Sequence, residues 1–206
     1  MQLIGMLDSP YVRRVAIVLR VAGVAFEHRS ISVFRQMPEF SAINPVIKAP
    51  TLVTDAGTVL MDSTLILGAL KGLVPAARVG PLWPAGGAAL EQALRCEALA
   101  LAACEKSVQQ VYETQLRPTE HQHGPWLERV RAQMFTAYDL LEAAWGGRDL
   151  TPSEASIDQP AITAAVTWSF TQDLLPGLID ATRCPRLAAL AAHAERLPAF
   201  QALPMH

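Results

Sequence analysis

Cysteine is scarce in this chain, at three among 206 residues, and the three are poorly placed for joint chemistry. Cys96, Cys104 and Cys184 are odd in number and show no CxxC spacing, which argues against a disulfide framework and against a zinc site. Charged residues are also few, at 17%, and nearly cancel to a net charge of -2. That balance leaves no basic footprint for nucleic acid or for an anionic membrane surface. Long apolar runs are missing too, because arginines or acids interrupt every stretch before it reaches the roughly 18 residues of a membrane-spanning helix. The opening Met1-Gln2-Leu3-Ile4-Gly5 lacks the basic stretch, apolar core and small-residue cleavage site of a secretory signal. A soluble protein of the reducing cytoplasm is expected.

What the chain has instead is apolar content, 51% of its residues, ample for a sizeable core in one large domain or two small ones. The low charge also leaves room for a buried subunit interface. The first third alternates short strand-like and helix-like pieces. Leu3 to Leu7 reads as a strand, Pro10 to Ala22 as a helix closed by Gly23, Phe26 to Val33 as a second strand and Met37 to Ile43 as a short helix. Thr51 to Thr54 and Thr58 to Met61 form a hairpin across Asp55-Ala56-Gly57, and Ser63 to Gly72 a helix. Between Val74 and Gly87 proline and glycine accumulate, which is linker composition. Beyond it the strands vanish: Ala88 to Leu116, Pro125 to Trp145, Gln159 to Leu175 and Arg186 to Arg196 read as helices. Alternation followed by uninterrupted helices implies two domains of different class, 1–76 and 88–206, joined by 77–87.

Three segments of the first domain carry chemistry. Ser9-Pro10 joins the first strand to the first helix. Pro10 suits the first helical position, where its missing donor has no partner to lose, and Ser9 suits the N-cap. The Ser9 hydroxyl then lies in the positive field of a helix start, which favours an anion. In Ala49-Pro50-Thr51-Leu52-Val53 a proline directly precedes a β-branched run, the mark of a rigid turn at a strand's beginning that can hold a cis bond. In Leu60-Met61-Asp62-Ser63-Thr64 an apolar run meets an Asp-Ser pair that opens another helix. Two helix starts and one proline-marked strand start are able to converge on one ligand.

Ser9-Pro10-Tyr11-Val12-Arg13-Arg14-Val15, then Ala49-Pro50-Thr51-Leu52, then Asp62-Ser63 resembles the glutathione transferase family in order and spacing. The resemblance covers nearly the whole chain. It implies an α/β thioredoxin-like N-terminal domain followed by an all-α C-terminal domain, with glutathione as co-substrate, no metal, and a homodimer. Ser9 is then the catalytic residue, a hydroxyl donor aimed at the glutathione sulfur. A donor plus a helix start favours a thiolate by roughly 2 kcal/mol, about 1.5 pKa units, which makes it a major species near neutral pH. The alternative is that Ser9 serves only as a cap.

The resemblance also implies that the free backbone of Ala49, before cis-Pro50, pairs with the cysteinyl backbone like an added strand. Asp62 and Ser63 take the ammonium and carboxylate of the γ-glutamyl end. Pro10 shapes the helix start beside the sulfur. Lys48 either pairs with the glycyl carboxylate or is simply solvated, and Phe34 and Arg35 edge the same groove. The helical domain supplies the electrophile pocket, with Cys104, Tyr112 and Trp168 as candidates that fit an ordinary core as well. Serine rather than cysteine at position 9 argues against thiol exchange. Conjugation to a small hydrophobic electrophile, glutathione-dependent isomerisation and ligand binding without turnover all remain open.

His121 and His123 lie in a polar loop, and His28, His193 and His206 have no partner spacing that suggests catalysis or metal binding. One departure concerns folding: the family commonly has a capping box before the helix that carries Trp168, whereas here Asp158 and Ala161 stand in those places with Pro160 between them. Asp158 still caps, but the reciprocal carboxylate is gone.

Overall fold

In the computed structural model residues 1–75 and 79–205 are described, so the expected junction at 76 and 77 and the terminal His206 lie outside them. Among the described residues the elements are β1 (Gln2–Ile4), α1 (Pro10–Val21), β2 (Glu27–Arg29), α2 (Met37–Ile43), β3 (Thr51–Val53), β4 (Val59–Leu60), α3 (Ser63–Leu73), α4 (Gly87–Val111), α5 (Gly124–Ala144), α6 (Gln159–Leu174), α7 (Pro185–Ala194) and α8 (Pro198–Gln201). The chain forms two compact units. One comprises Met1–Trp83 with Ser153–Ile157 and Arg196–His206, the other Pro84–Pro152 with Asp158–Glu195.

The first unit is thioredoxin-like, a four-stranded mixed sheet in the order β2-β1-β3-β4. β1 runs parallel to β2 and antiparallel to β3, with Ile4 opposite Thr51 and Leu3 opposite Leu52. Side chains alternate across a strand, so Ile4 and Val53 face one side, where Ile31 and Phe40 of α2 complete a buried cluster. Leu3 and Leu52 turn to the other side, where α1 packs on β1 and α3. The strands are shorter than their apolar runs. β1 stops at Ile4 because Gly5 takes a φ of +133°, which ends extended pairing. β4 keeps only Val59 and Leu60, because the turn before it is held by Thr54, whose amide donates to the Thr58 carbonyl at 3.0 Å.

The second unit is all helical. α6 is buried almost throughout its length, and α4, α5 and α7 pack around it or one another. A buried hydroxyl network ties three of these helices together: Thr171 Oγ1 lies 2.7 Å from Ser107 Oγ and 2.6 Å from the Tyr138 hydroxyl. Asp158 caps α6, its Oδ1 accepting the Ala161 amide at 3.0 Å, and its other oxygen pairs with Arg148. The N-cap carboxylate is thus shared between the first turn of α6 and the guanidinium of Arg148. α4 was expected to run to Leu116; it ends at Val111 and widens into a π-helical turn, Tyr112–Leu116. Among the described residues no helix is long and apolar enough to cross a membrane.

Candidate functional site

The N-terminus of α1 is built by its own sequence. After Gly5 the chain turns back, the Ser9 amide donating to the Met6 carbonyl at 3.2 Å, and Ser9 takes the extended conformation of an N-cap with Pro10 as first helical residue. The Ser9 hydroxyl oxygen accepts the Val12 amide over a long 3.4 Å. That cap engages a lone pair and leaves the hydroxyl proton to donate elsewhere. Capping and donation to an anion are therefore compatible at this half-buried serine.

The Ala49-Pro50 peptide is cis, as is Met61-Asp62. Asn44 holds the loop before it: Nδ2 donates to Thr51 Oγ1 at 2.8 Å, Thr51 Oγ1 donates to the Lys48 carbonyl at 2.7 Å, and Oδ1 accepts the Val46 amide at 3.1 Å. Thr51 then enters β3 opposite Ile4. Among the described residues no backbone hydrogen bond uses the amide or carbonyl of Ala49. Its side chain packs on the Ile4, Ile31 and Phe40 cluster. A Cβ built on Gly5 falls 2.6 Å from Val12 Cγ2 and 3.1 Å from Ala49 Cβ. The loop before Ser9, the first turn of α1 and the cis-proline loop therefore meet around a glycine with no room to spare.

At the start of α3, Asp62 Oδ1 accepts the amides of Thr64 and Leu65 at 2.9 and 3.1 Å. Those amides are thus unavailable to a ligand, and the donors left at this turn are the Ser63 amide and the hydroxyls of Ser63 and Thr64. Asp62 is exposed, whereas Ser63 is 3% exposed. The Ser63 oxygen accepts from Nη1 of Arg14 at 2.8 Å, and the same nitrogen lies 3.5 Å from Thr64 Oγ1. Arg14 is itself 1% exposed. A buried guanidinium on α1 thereby connects the first helix to the third.

Phe34 and Arg35 are exposed in a loop after β2 in which Ser32 Oγ accepts both of their amides, at 3.2 and 3.1 Å. Arg35 reaches back to Met6, with Nη2 3.4 Å from the sulfur, and so joins the loop that leads to Ser9. Lys48 is exposed and forms no ion pair among the described residues. His28 holds the same loop from below, its Nε2 2.8 Å from the Gly5 carbonyl.

In the helical unit, Cys104 and Trp168 are buried, and Trp168 stands edge-on to Tyr138 with ring centroids 5.5 Å apart. Tyr112 is 48% exposed at the π-helical turn. His121 and His123 are exposed, and among the described residues no group of three or more His, Cys, Asp or Glu side chains is arranged to hold a metal ion. Burial pushes the Cys96 thiol up, and burial with the nearby Glu142 carboxylate pushes Cys184 up to about 11. Neither is a nucleophile at neutral pH.

Gly5, Arg14 and Asn44 shape the cradle without having been expected as site residues. The one signal for Arg14 is its place inside an apolar helical run, where a solvated arginine does not belong.

The family model described as the glutathione S-transferase N-terminal domain matches residues 3–78. A glutathione transferase family member from Pseudomonas fluorescens Pf-5, crystallised with bound glutathione, is 31% identical; the match covers 98% of this chain and 97% of that one, with a TM-score of 0.81. A glutathione S-transferase from Methylobacterium radiotolerans JCM 2831, in complex with glutathione sulfonate, is 27% identical over 98% of this chain and 92% of its own, with a TM-score of 0.85. The uncharacterized GST-like protein YibF of Escherichia coli (strain K12) is 28% identical over 177 residues, 86% of each chain.

Proposed function

Because this chain belongs to the glutathione transferase family, we propose that it binds glutathione in the cradle of Ser9, Ala49, Pro50, Asp62 and Ser63 and joins the sulfur to a small hydrophobic electrophile. One observation carries this reading. Segments far apart in sequence touch at Gly5, Val12 and Ala49 and are bonded through Arg14 and Ser63, so that two helix starts and a free backbone edge share one end of the sheet.

The chemistry follows from what each group has left to give. The Ala49 amide and carbonyl pair with the cysteinyl backbone as a further strand. Asp62 keeps one oxygen for the γ-glutamyl ammonium while the other caps α3, and Ser63 offers its donors to the carboxylate. Arg35 and Lys48, both exposed cations, receive the glycyl carboxylate, and Phe34 walls the groove. The thiol gives its proton to solvent. Ser9 donates its hydroxyl proton in a hydrogen bond to the resulting thiolate, with no amide from Pro10 to compete at the first helical position. The thiolate then attacks the electrophilic carbon, forming the C–S bond as the leaving group departs or the neighbouring atom takes a proton. Ser9 keeps its own proton throughout and forms no covalent bond.

The proposed division gives 1–76 to glutathione, 88–206 to the electrophile and 77–87 to the linker. Of the helical candidates, Tyr112 is offered as the electrophile contact because its ring is exposed, whereas Cys104 and Trp168 fill the interior of their own unit. A cytoplasmic homodimer is also proposed, supported by buried free cysteines, the low charge content and the exposed Leu65 and Leu94.

Steady-state turnover with glutathione and a panel of electrophiles, wild type against Ser9→Ala, tests the activity. A fall in kcat of about tenfold or more with glutathione affinity retained supports it. Wild type without turnover on any electrophile points instead to a glutathione binder. Sedimentation at a monomer mass contradicts the dimer.

A further inference from the structure

Gly5 is gripped at both of its backbone groups by the short strand β2. Its amide donates to the Arg29 carbonyl at 3.0 Å, and its carbonyl lies 2.8 Å from Nε2 of His28. A carbonyl has no proton to give, so Nε2 must be the donor, whether the imidazole is neutral or charged. Gly5 is buried, and among the described residues no backbone amide donates to its carbonyl. An acceptor left unsatisfied there carries its full desolvation penalty, so loss of the imidazole favours a shift of the loop toward water. Such a shift is passed on. A Cβ built on Gly5 falls 2.6 Å from Val12 Cγ2 and 3.1 Å from Ala49 Cβ, so Gly5 already lies against the first turn of α1 and the Ala49 loop. Only Met6, Leu7 and Asp8 separate it from Ser9, and the Ser9 amide is tied back to the Met6 carbonyl at 3.2 Å.

We propose that His28 is a positioning residue for the thiolate step: its bond to the Gly5 carbonyl holds the turn Gly5–Ser9 where the Ser9 hydroxyl meets the glutathione sulfur. This rests on Ser9 being the donor to the bound thiolate. His28 touches no substrate in this scheme and moves no proton, because the nitrogen facing the turn already gives its hydrogen to a backbone oxygen. The imidazole serves by reach and direction, so an amide of matching reach is expected to replace it.

The test follows thiolate absorbance of the saturated glutathione complex against pH in wild type, His28→Leu, His28→Gln, Ser9→Ala and Ser9→Ala/His28→Leu, with affinity measured by calorimetry. His28→Leu has similar bulk and no donor, and is expected to weaken ionisation of the bound thiol by about threefold to tenfold, the scale of one misdirected hydrogen bond. The glutathione Kd stays within about threefold, because Ala49, Asp62 and Ser63 keep their own donors and acceptors. His28→Gln, whose amide reaches about as far as Nε2, restores most of the ionisation. In the Ser9→Ala background His28→Leu changes ionisation by less than about twofold, because its effect passes through the missing hydroxyl. Should His28→Leu fail to fold, His28→Asn, polar but too short to reach the carbonyl, is expected to show the same loss. Wild-type ionisation in folded His28→Leu or His28→Asn overturns the inference. So does an equal effect of His28→Leu with and without the Ser9 hydroxyl, or a His28→Gln variant no better than His28→Leu. Wild type and Ser9→Ala complexes that titrate alike overturn the Ser9 reading beneath it, and a protein that binds no glutathione overturns the cradle itself.

Discussion

Replacing Gly5 by alanine strikes the point where the three cradle segments meet. The new Cβ would lie 2.6 Å from Val12 Cγ2, a separation that real Cβ atoms essentially never show, and 3.1 Å from Ala49 Cβ. Val12 cannot swing aside, because it is 0% exposed and its β-branched side chain has one strongly preferred rotamer on a helix. The backbone adds a second cost, since a φ of +133° is foreign to alanine. Overpacking of this kind costs about 1–3 kcal/mol and the backbone strain a similar amount, so Gly5→Ala is expected to lose about 2–6 kcal/mol. Gly57 supplies the control: its φ is +81° but nothing lies within 4 Å of an added Cβ, so Gly57→Ala bears only the backbone cost, about 1–2 kcal/mol. Urea unfolding of both variants separates packing from strain. Folded Gly5→Ala is also expected to bind glutathione at least about tenfold more weakly, as the loop before Ser9 is pushed off Ala49. In Gly5→Ala/Val12→Ala the two losses add to less than their sum, because the second change removes the 2.6 Å clash. Equal destabilisation by Gly5→Ala and Gly57→Ala refutes the reasoning.

Two other outcomes concern the helical unit. Asp158→Ala removes the cap on the Ala161 amide and the partner of Arg148, and is expected to cost about 1–2 kcal/mol in urea unfolding, whereas Asp158→Asn, which still caps, recovers most of it. Cys184 is raised from its ordinary value of 9.0 to about 11, by burial first and by the Glu142 and Asp139 charges next. Its folded form stays protonated while the unfolded form ionises, so its contribution is fully present below pH 9.0 and declines up to about pH 11, at about 1.4 kcal/mol per pH unit. Stability measured against pH over that range should fall less steeply in Cys184→Ala, and an unchanged slope contradicts the assignment.

Local chemistry made much of the fold legible. The Ser9-Pro10 start of α1, the Asp62 start of α3 and the cap at Asp158 are set by residues within three positions of the amides they serve, and each occurs as the sequence indicates. What stayed hidden depends on residues far apart. Arg14 and Ser63 are 49 positions apart, and nothing in either neighbourhood announces the bond. Glu142 likewise accepts the amides of Arg186 and Leu187, both at 3.0 Å, and so caps α7 from another helix although Cys184 and Pro185 show no side-chain cap. Gly5 looks like any glycine near a strand end until the neighbours of its missing Cβ are known. At Asp62 the same local chemistry that starts α3 also engages one carboxylate oxygen with the Thr64 and Leu65 amides.

The ionisation state of bound glutathione tests the central claim most directly. Ultraviolet thiolate absorbance of the saturated complex, followed against pH in wild type and Ser9→Ala, reads the effect of the serine hydroxyl on the sulfur. The account predicts a thiol pKa about 1–1.5 units below that of free glutathione in wild type, most of which is lost in Ser9→Ala while the tripeptide stays bound. Identical titration of the two complexes would mean that the Ser9 hydroxyl does no more than cap its helix.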